Sequence, residues 1–274
     1  MNATHRVLDP LKSDRVSAGL TALAVMTKAP QAGRVKTRLT PPLTPEEAAA
    51  LNTCFLRDTA AAISGAVSRR EAQGVGVYTP VGAESAYSEI LPGEFILVPQ
   101  RGDKFGERLL AATADLLQLG FSAVCLIDSD SPTVPPNAFA QAIEFLSRAE
   151  DRVVLGPSDD GGYYLIGLKK PHHELFDRID WSTERVLEQT IAAARALDLP
   201  VHLLPVWYDV DDRTTLSRLC QELFGSNGTA PGGFTAPATH EFLSVLLQRE
   251  GRARIWPARN ASHSDAGGPN ESQS

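Results

Sequence analysis

Long apolar runs are missing from this chain of 274 residues. The longest falls far short of the roughly 20 residues that a membrane-spanning helix requires, so no membrane span is expected. The opening stretch MNATHRVLDPLKSDR has no continuous apolar core of the kind a signal peptide carries, and residues 1–19 are expected to be a loose leader. Cysteine is scarce: Cys54, Cys125 and Cys220 are odd in number and far apart. That excludes a disulfide framework and any paired-cysteine zinc site, and a reducing cytoplasm is the expected setting. Net positive charge is also missing. The formal charge is −7, which argues against a nucleic-acid partner, since such binding needs a broad basic face. Two phosphate-binding signatures are absent as well: the Gly-Lys-Ser/Thr end of a P-loop and the G-x-G-x-x-G turn.

What remains is ordinary for a globular protein, with 43% hydrophobic and 22% charged residues. Short apolar runs alternate with amphipathic segments. LTALAVMT (20–27) reads as a buried strand and TPEEAAALNTCFLRDTAAAISGAV as a helix. Thr44 is its expected N-cap, Pro45 its first residue and Glu47 the other half of a capping box, with Leu51, Phe55 and Ile63 on one face. GVGVYT, FILVPQ, SAVCLID, RVVLGP, YYLIGL and VHLLPVW read as strands. ESAYSEIL, GERLLAATADLLQLG, PPNAFAQAIEFLSRAE, STERVLEQTIAAARALDL and the segment after DVDD read as helices. Only SDDGG separates RVVLGP from YYLIGL, which predicts a hairpin rather than a crossover. The alternation predicts an α/β domain with a mostly parallel sheet over residues 20–224. Residues 225–256 read as a Gly/Pro-rich linker followed by a short helix that docks on the body or on a neighbour, leaving a homo-oligomer open. Residues 257–274 read as a disordered tail.

In open α/β sheets ligands bind beyond the carboxyl ends of the strands, and three unusual stretches fall there. VMTKAPQAGRVKTRL (25–39) holds Lys28, Arg34, Lys36 and Arg38 and no acidic residue. Gly33 permits close backbone approach, and a lysine with an arginine suits phosphate oxygens. The plain alternative is a solvated loop. LIDSDSPTVP brings Asp128 and Asp130 to a strand end in a D-x-D arrangement, and WYDVDD repeats the pattern with Asp209 and Asp211. Paired carboxylates at strand ends suit Mg2+ or Mn2+ shared with phosphates, while a helix cap is the plain alternative. Two acidic strand ends facing a basic one are the parts of a metal–polyphosphate site. Between them, Asp159 and Asp160 precede Gly161 and Gly162, either near a ligand or simply in a hairpin turn. Ser182 and Thr183 open the next helix as caps or as an anion site. His172 and His173 read as surface residues.

Taken in order, MTKAPQAGRVKTRL, GDKFGERL, LIDSDSPTVP, GPSDDGGYYLIGL, IDWSTERVLEQT and DVDD resemble a bacterial family. These are the GT-A-superfamily glycosyltransferase-like proteins, also called radical-SAM/selenodomain-associated transferases. They are related more distantly to the molybdenum cofactor and phospholactate guanylyltransferases. The resemblance spans about residues 20–224 and implies the nucleotide-diphospho-sugar transferase fold, a three-layer α/β/α sandwich with a mixed, mostly parallel sheet. It implies Asp130, Asp209 and Asp211 as ligands of Mg2+ or Mn2+, and Lys36 and Arg38 as phosphate contacts. Asp130 and Lys36 stand as the expected catalytic pair, with Lys28, Gly33 and Asp160 also on the substrate. Gly161, Gly162, Ser182 and Thr183 would lie near the acceptor. The family more usually has glycine at the position of Asp128, which leaves Asp130 as the main ligand. The implied activity is metal-dependent nucleotidyl or glycosyl transfer from a nucleotide or nucleotide-sugar to a small acceptor. A nucleotide-binding module without catalysis, acting as a pathway partner, is the rival reading.

Overall fold

A computed structural model describes residues 5–12, 14–67, 71–225 and 233–256. Its strands are β1 (Arg6–Val7), β2 (Thr21–Lys28), β3 (Ala72–Thr79), β4 (Ile96–Pro99), β5 (Ala123–Ile127), β6 (Val153–Pro157), β7 (Tyr163–Leu168) and β8 (Val201–Leu203). The helices are α1 (Pro45–Val67), α2 (Phe105–Gln118), α3 (Pro136–Ser147), α4 (Val186–Ala196), α5 (Arg213–Phe224), α6 (Pro237–Glu250) and the single turn α7 (Arg252–Ile255). No described helix is long and apolar enough to cross a membrane.

The strands form one sheet in the order β1-β4-β3-β2-β5-β7-β6-β8. β7 pairs antiparallel with both β5 and β6, and every other pairing is parallel. The expected hairpin is therefore β6–β7, and it supplies the reversed strand of the mixed sheet. Successive side chains on a strand point to opposite faces, and both faces here are covered by helices. Leu23 and Val25 of β2 join Leu56 and Ile63 of α1 and Phe139 and Ile143 of α3. Ala22 and Ala24 join Leu109 and Leu116 of α2 and Ala194 of α4. Two-sided burial explains why these strands are apolar without alternation.

Local signals explain the main boundaries. Thr44 and Glu47 form the expected capping box, with Glu47 N–H donating to Thr44 Oγ1 at 3.2 Å and Thr44 N–H donating to Glu47 Oε2 at 2.9 Å. α2 ends two residues before Gly120, which takes φ 107°, open to glycine and costly for other residues. ESAYSEIL is only a short 3-10 turn at Glu84–Tyr87. VHLLPVW is regular only to Leu203, because Pro205 cannot donate to a ladder.

The N-terminal segment departs from the expected loose leader. Leu8 is fully buried, and Arg6–Val7 adds an edge strand beside Ile96–Leu97. The chain after the linker is an integral layer. Leu243 and Leu246 of α6, with Ile255 and Trp256, join Leu51 and Phe55 of α1 and Leu216 and Leu219 of α5 in a third core. Residues 226–232 of the expected linker and the tail at 257–274 lie outside the described residues.

Candidate active site

β2 and β5 are parallel neighbours, so the loops leaving their carboxyl ends emerge side by side. One carries Lys28 to Arg38, the other Asp128 to Asp130. The stretch bearing Asp209 to Asp211 comes from beyond β8 and is fastened across the edge by main-chain bonds. Trp207 N–H donates to Pro157 O at 2.9 Å and Val210 N–H donates to Asp130 O at 2.9 Å. Asp212 is the helix cap, accepting from Thr215 N–H at 2.8 Å. That division of labour leaves Asp211 available to the cleft.

At the centre stands Lys36, whose side chain is only 4% exposed. Its ammonium meets Asp130 Oδ1 at 2.8 Å, Asp211 Oδ1 at 2.9 Å and Val210 O at 2.8 Å. It lies 5.5 Å from the centre of the Phe55 ring. An ammonium has three hydrogens, and three acceptors take them. Burial alone would push its pKa down, but the Asp130 and Asp211 carboxylates overcome this and hold it above the ordinary 10.5. Lys36 ties the basic loop to both acidic strand ends. The residue is held in the left-handed region, at φ 49° and ψ 38°, which aims its side chain inward while its neighbours face out.

The other basic residues face a cleft of about 300 Å³ lined by Lys28, Arg34, Arg38, Asn52, Ser129, Asp130 and Asp211, among others. Arg38 pairs with Asp211 and is 73% exposed. Neither Lys28 nor Arg34 has an ion-pair partner among the described residues. Gly33 takes φ 71° with open space where a Cβ would stand, giving the loop the turn that spreads these cations around the cleft.

The four expected metal-binding carboxylates divide into two kinds. Asp130 and Asp211 are part-exposed, at 33% and 30% of their side chains, and reach the cleft. Asp128 and Asp209 lie deeper. Asp128 accepts from Ser131 Oγ–H at 2.8 Å and Asp130 N–H at 3.2 Å. Burial, then the nearby Asp130 charge, pushes its pKa well up. Asp209 accepts from Ser158 Oγ–H at 3.0 Å. Burial, followed by the Asp160 and Asp211 charges, raises its pKa to about 6. Among the described residues no group of three or more His, Cys, Asp or Glu is spaced to hold an ion alone. The donor set instead fits a hard cation that arrives with its own oxygens: one or two carboxylates from Asp130 and Asp211, with phosphates and water completing the shell. Lys36 offsets only part of the negative charge gathered here.

The remaining expected residues make contacts within the chain. A Cβ on Gly161, at φ 90°, would stand 2.1 Å from Glu184 O, so the close approach this glycine permits is to the chain's own backbone. Asp160 Oδ1 accepts from Gly162 N–H at 2.8 Å, a turn within the β6–β7 hairpin. Asp159 pairs with Arg218. Ser182 takes φ 64°, and Thr183 Oγ1 donates to Asp180 O at 2.7 Å, both in the turn before α4 rather than at its cap, Arg185. His172 pairs with Asp151 at 3.0 Å. Asn52, which the sequence reading passed over, lines the cleft from α1. Its signal was faint: a polar residue between Leu51 and Phe55 on the buried face of a helix.

Comparison with known proteins adds the following. A family model described as "Uncharacterized protein conserved in bacteria (DUF2064)" matches residues 63–183. No curated protein matches the sequence. Among solved structures, a putative nucleotide-diphospho-sugar transferase from Desulfovibrio desulfuricans G20 is 28% identical, with a TM-score of 0.69 over 86% of this chain and 96% of the other. CMP:2-keto-3-deoxy-manno-octonic acid synthetase complexed with CTP aligns at 9% identity and a TM-score of 0.48, over 73% of this chain and 97% of that one. A Mycobacterium tuberculosis H37Rv protein in complex with manganese aligns at 17% identity and a TM-score of 0.44, over 74% and 98%. With its mixed eight-stranded sheet between helical layers, the chain has the nucleotide-diphospho-sugar transferase fold.

Proposed function

We propose that the protein is a transferase that takes a nucleotide or nucleotide-sugar into the cleft at the ends of β2 and β5. The observation that carries this reading is one cleft that holds Lys28 and Arg34, cations without an ion-pair partner among the described residues, beside the part-exposed carboxylates of Asp130 and Asp211. Cations without carboxylates would serve any anion. Carboxylates beside them demand a ligand that is anionic and carries a cation, which describes a metal-bound di- or triphosphate. Lys28, Arg34 and Arg38 hold the phosphates, and Lys36 keeps Asp130 and Asp211 in register. Asp130 and Asp211 would hold Mg2+ or Mn2+, whose chemistry is to neutralise the diphosphate leaving group.

Two transfers fit. In nucleotidyl transfer an acceptor phosphate oxygen bonds to the α-phosphorus and the bond to pyrophosphate breaks, with no proton to remove. In glycosyl transfer an acceptor hydroxyl oxygen bonds to the anomeric carbon, the nucleoside diphosphate leaves, and the hydroxyl proton passes to the departing diphosphate or to water. The similarity to the Desulfovibrio protein supports the fold context for both.

The test is calorimetry with nucleoside triphosphates and nucleotide-sugars in Mg2+ and Mn2+, followed by turnover assays over phosphorylated and hydroxyl acceptors. Lys28→Ala and Arg34→Ala are each expected to weaken binding by about 10- to 100-fold, from roughly 1.5–3 kcal/mol per charge-assisted bond. The loss should be confined to phosphorylated ligands and absent for the matching nucleoside. Equal loss for nucleoside and nucleotide would sink the phosphate assignment. Binding without turnover across the acceptor panel would favour the non-catalytic module.

A further inference from the structure

Both oxygens of the Asp211 carboxylate hold a cation of the chain itself. Lys36 Nζ meets Oδ1 at 2.9 Å, and the Arg38 guanidinium meets Oδ2. Asp130 gives its Oδ1 to the same Lys36, at 2.8 Å. The two cations differ in how firmly they are held. Lys36 is 4% exposed and spends its three hydrogens on Asp130, Asp211 and Val210. Arg38 is 73% exposed, and its one ion-pair partner among the described residues is Asp211. Asp211 is anchored from behind, its N–H donating to Thr215 Oγ1 at 2.9 Å while Asp212 caps α5. An exposed ion pair is weak, and of this pair the arginine is the half that is free to move.

That arrangement treats two kinds of cation differently. A free divalent ion approaching Asp211 Oδ2 has to displace a guanidinium, and like charges repel there. An ion that arrives on a di- or triphosphate brings the arginine a new partner. Phosphate oxygens take a guanidinium through two parallel bonds, against the single carboxylate oxygen that Arg38 holds on Asp211. We propose that Arg38 determines which cation the site accepts. It covers Asp211 Oδ2 against free metal ions, and it passes to the phosphates when a nucleotide enters, releasing that oxygen to the cation the nucleotide carries. Asp211 then takes a metal only together with its phosphates. This inference rests on the cleft being a nucleotide site.

The experiment uses the full chain with Arg38→Ala, Arg38→Gln and Lys28→Ala. Binding of Mn2+ alone is followed by electron paramagnetic resonance of the free ion. Calorimetry in Mg2+ with ATP, GTP, CTP and UTP identifies the triphosphate bound and its affinity for each variant. Both Arg38 variants are expected to bind Mn2+ alone about 3- to 10-fold more tightly than the wild type, because one exposed ion pair and one like charge are removed. The same variants should bind the nucleotide about 10- to 100-fold more weakly. Opposite signs from one substitution are the signature of the exchange. Lys28→Ala removes the same unit of charge from the cleft but breaks no pair with Asp211, so in salt of about 0.15 M it should leave Mn2+ affinity within about twofold. Mn2+ affinity in the Arg38 variants that is unchanged, or raised no further than in Lys28→Ala, overturns the proposal. Weaker binding of both Mn2+ and nucleotide overturns it too, since Arg38 would then merely support the site. So does an unchanged nucleotide affinity, which would show that Arg38 stays on Asp211. With wild-type nucleotide binding intact, each of these results leaves the reading of the cleft standing. Failure of the wild type to bind any nucleotide overturns that reading, and this inference with it.

Discussion

Lys36 gathers the two acidic strand ends of the cleft at one side chain. Three acceptors from two separate loops meet at its ammonium, so removing it leaves Asp130 without an ion pair and Asp211 with only the exposed Arg38. Lys36→Met is expected to cost about 1–3 kcal/mol of stability, below the 3–5 typical of a fully buried pair because both carboxylates are part-exposed. It should also abolish turnover. Lys36→Arg should not restore either, since a planar fork cannot meet three acceptors arranged around a point charge. The pKa of Lys36 is held above 10.5, so its contribution is complete below that pH and is lost as pH rises through the folded value. Urea unfolding of wild type and variant should therefore differ by a constant amount between pH 7 and pH 9. A gap that closes within that range would show that the ammonium is not the stabilising species. A concentration of basic residues in this loop was legible as sequence. Which of the four turns inward was not, because that depends on acceptors more than 90 residues away.

Helix ends fasten the C-terminal layer to the body. Asp58, buried on α1, accepts from the N–H groups of Ala238 at 3.0 Å and Thr239 at 2.8 Å, so it caps α6 from another helix. Asp58→Ala leaves those donors buried without a partner and should lower stability by about 1–3 kcal/mol. A loss under about 0.5 kcal/mol in chemical denaturation would show that water caps α6 instead. Glu47 has two duties: it completes the Thr44 box, and it pairs with Arg249 and Arg254 from α6 and α7. Burial opposes its ionisation, but Arg254 and the Thr44 N–H outweigh it, and the pKa lies below the ordinary 4.5. A depressed carboxylate stabilises above its unfolded pKa and loses that contribution as pH falls through the folded one. Glu47→Gln should thus cost about 1 kcal/mol at pH 7 and progressively less below pH 4, a trend that unfolding curves at both pH values would check. The capping box was legible in TPEE. The tertiary cap was not, because Asp58 and Thr239 are 181 residues apart.

Across the whole molecule, residues 233–256 belong to the architecture. Trp256 is 6% exposed and Leu243 fully buried, in a core shared with Tyr208 and Val210 beside the Asp209–Asp211 stretch. We propose that residues 20–224 form the transferase-like domain and that 233–256 buttress it, rather than forming an independent unit. Trp256→Ala should cost about 3 kcal/mol and Leu243→Ala about 2–4 kcal/mol. A chain ending at residue 225 should lose cooperative unfolding, as followed by calorimetry. A truncated chain that melts like the full one would refute the buttress. The strand–helix alternation, the β6–β7 hairpin, the Thr44 box and the acidic and basic strand ends were determined by the sequence itself. Each is written in neighbouring residues, as periodicity, a turn or a cap. Only the tertiary structure decided that Lys36 meets the Asp130 and Asp211 carboxylates, and that Gly161 makes room for Glu184. It alone seated β1 at the sheet edge and gave α6 its cap. Those outcomes depend on which distant groups strand order and helix packing bring within hydrogen-bond range, and no local pattern encodes that.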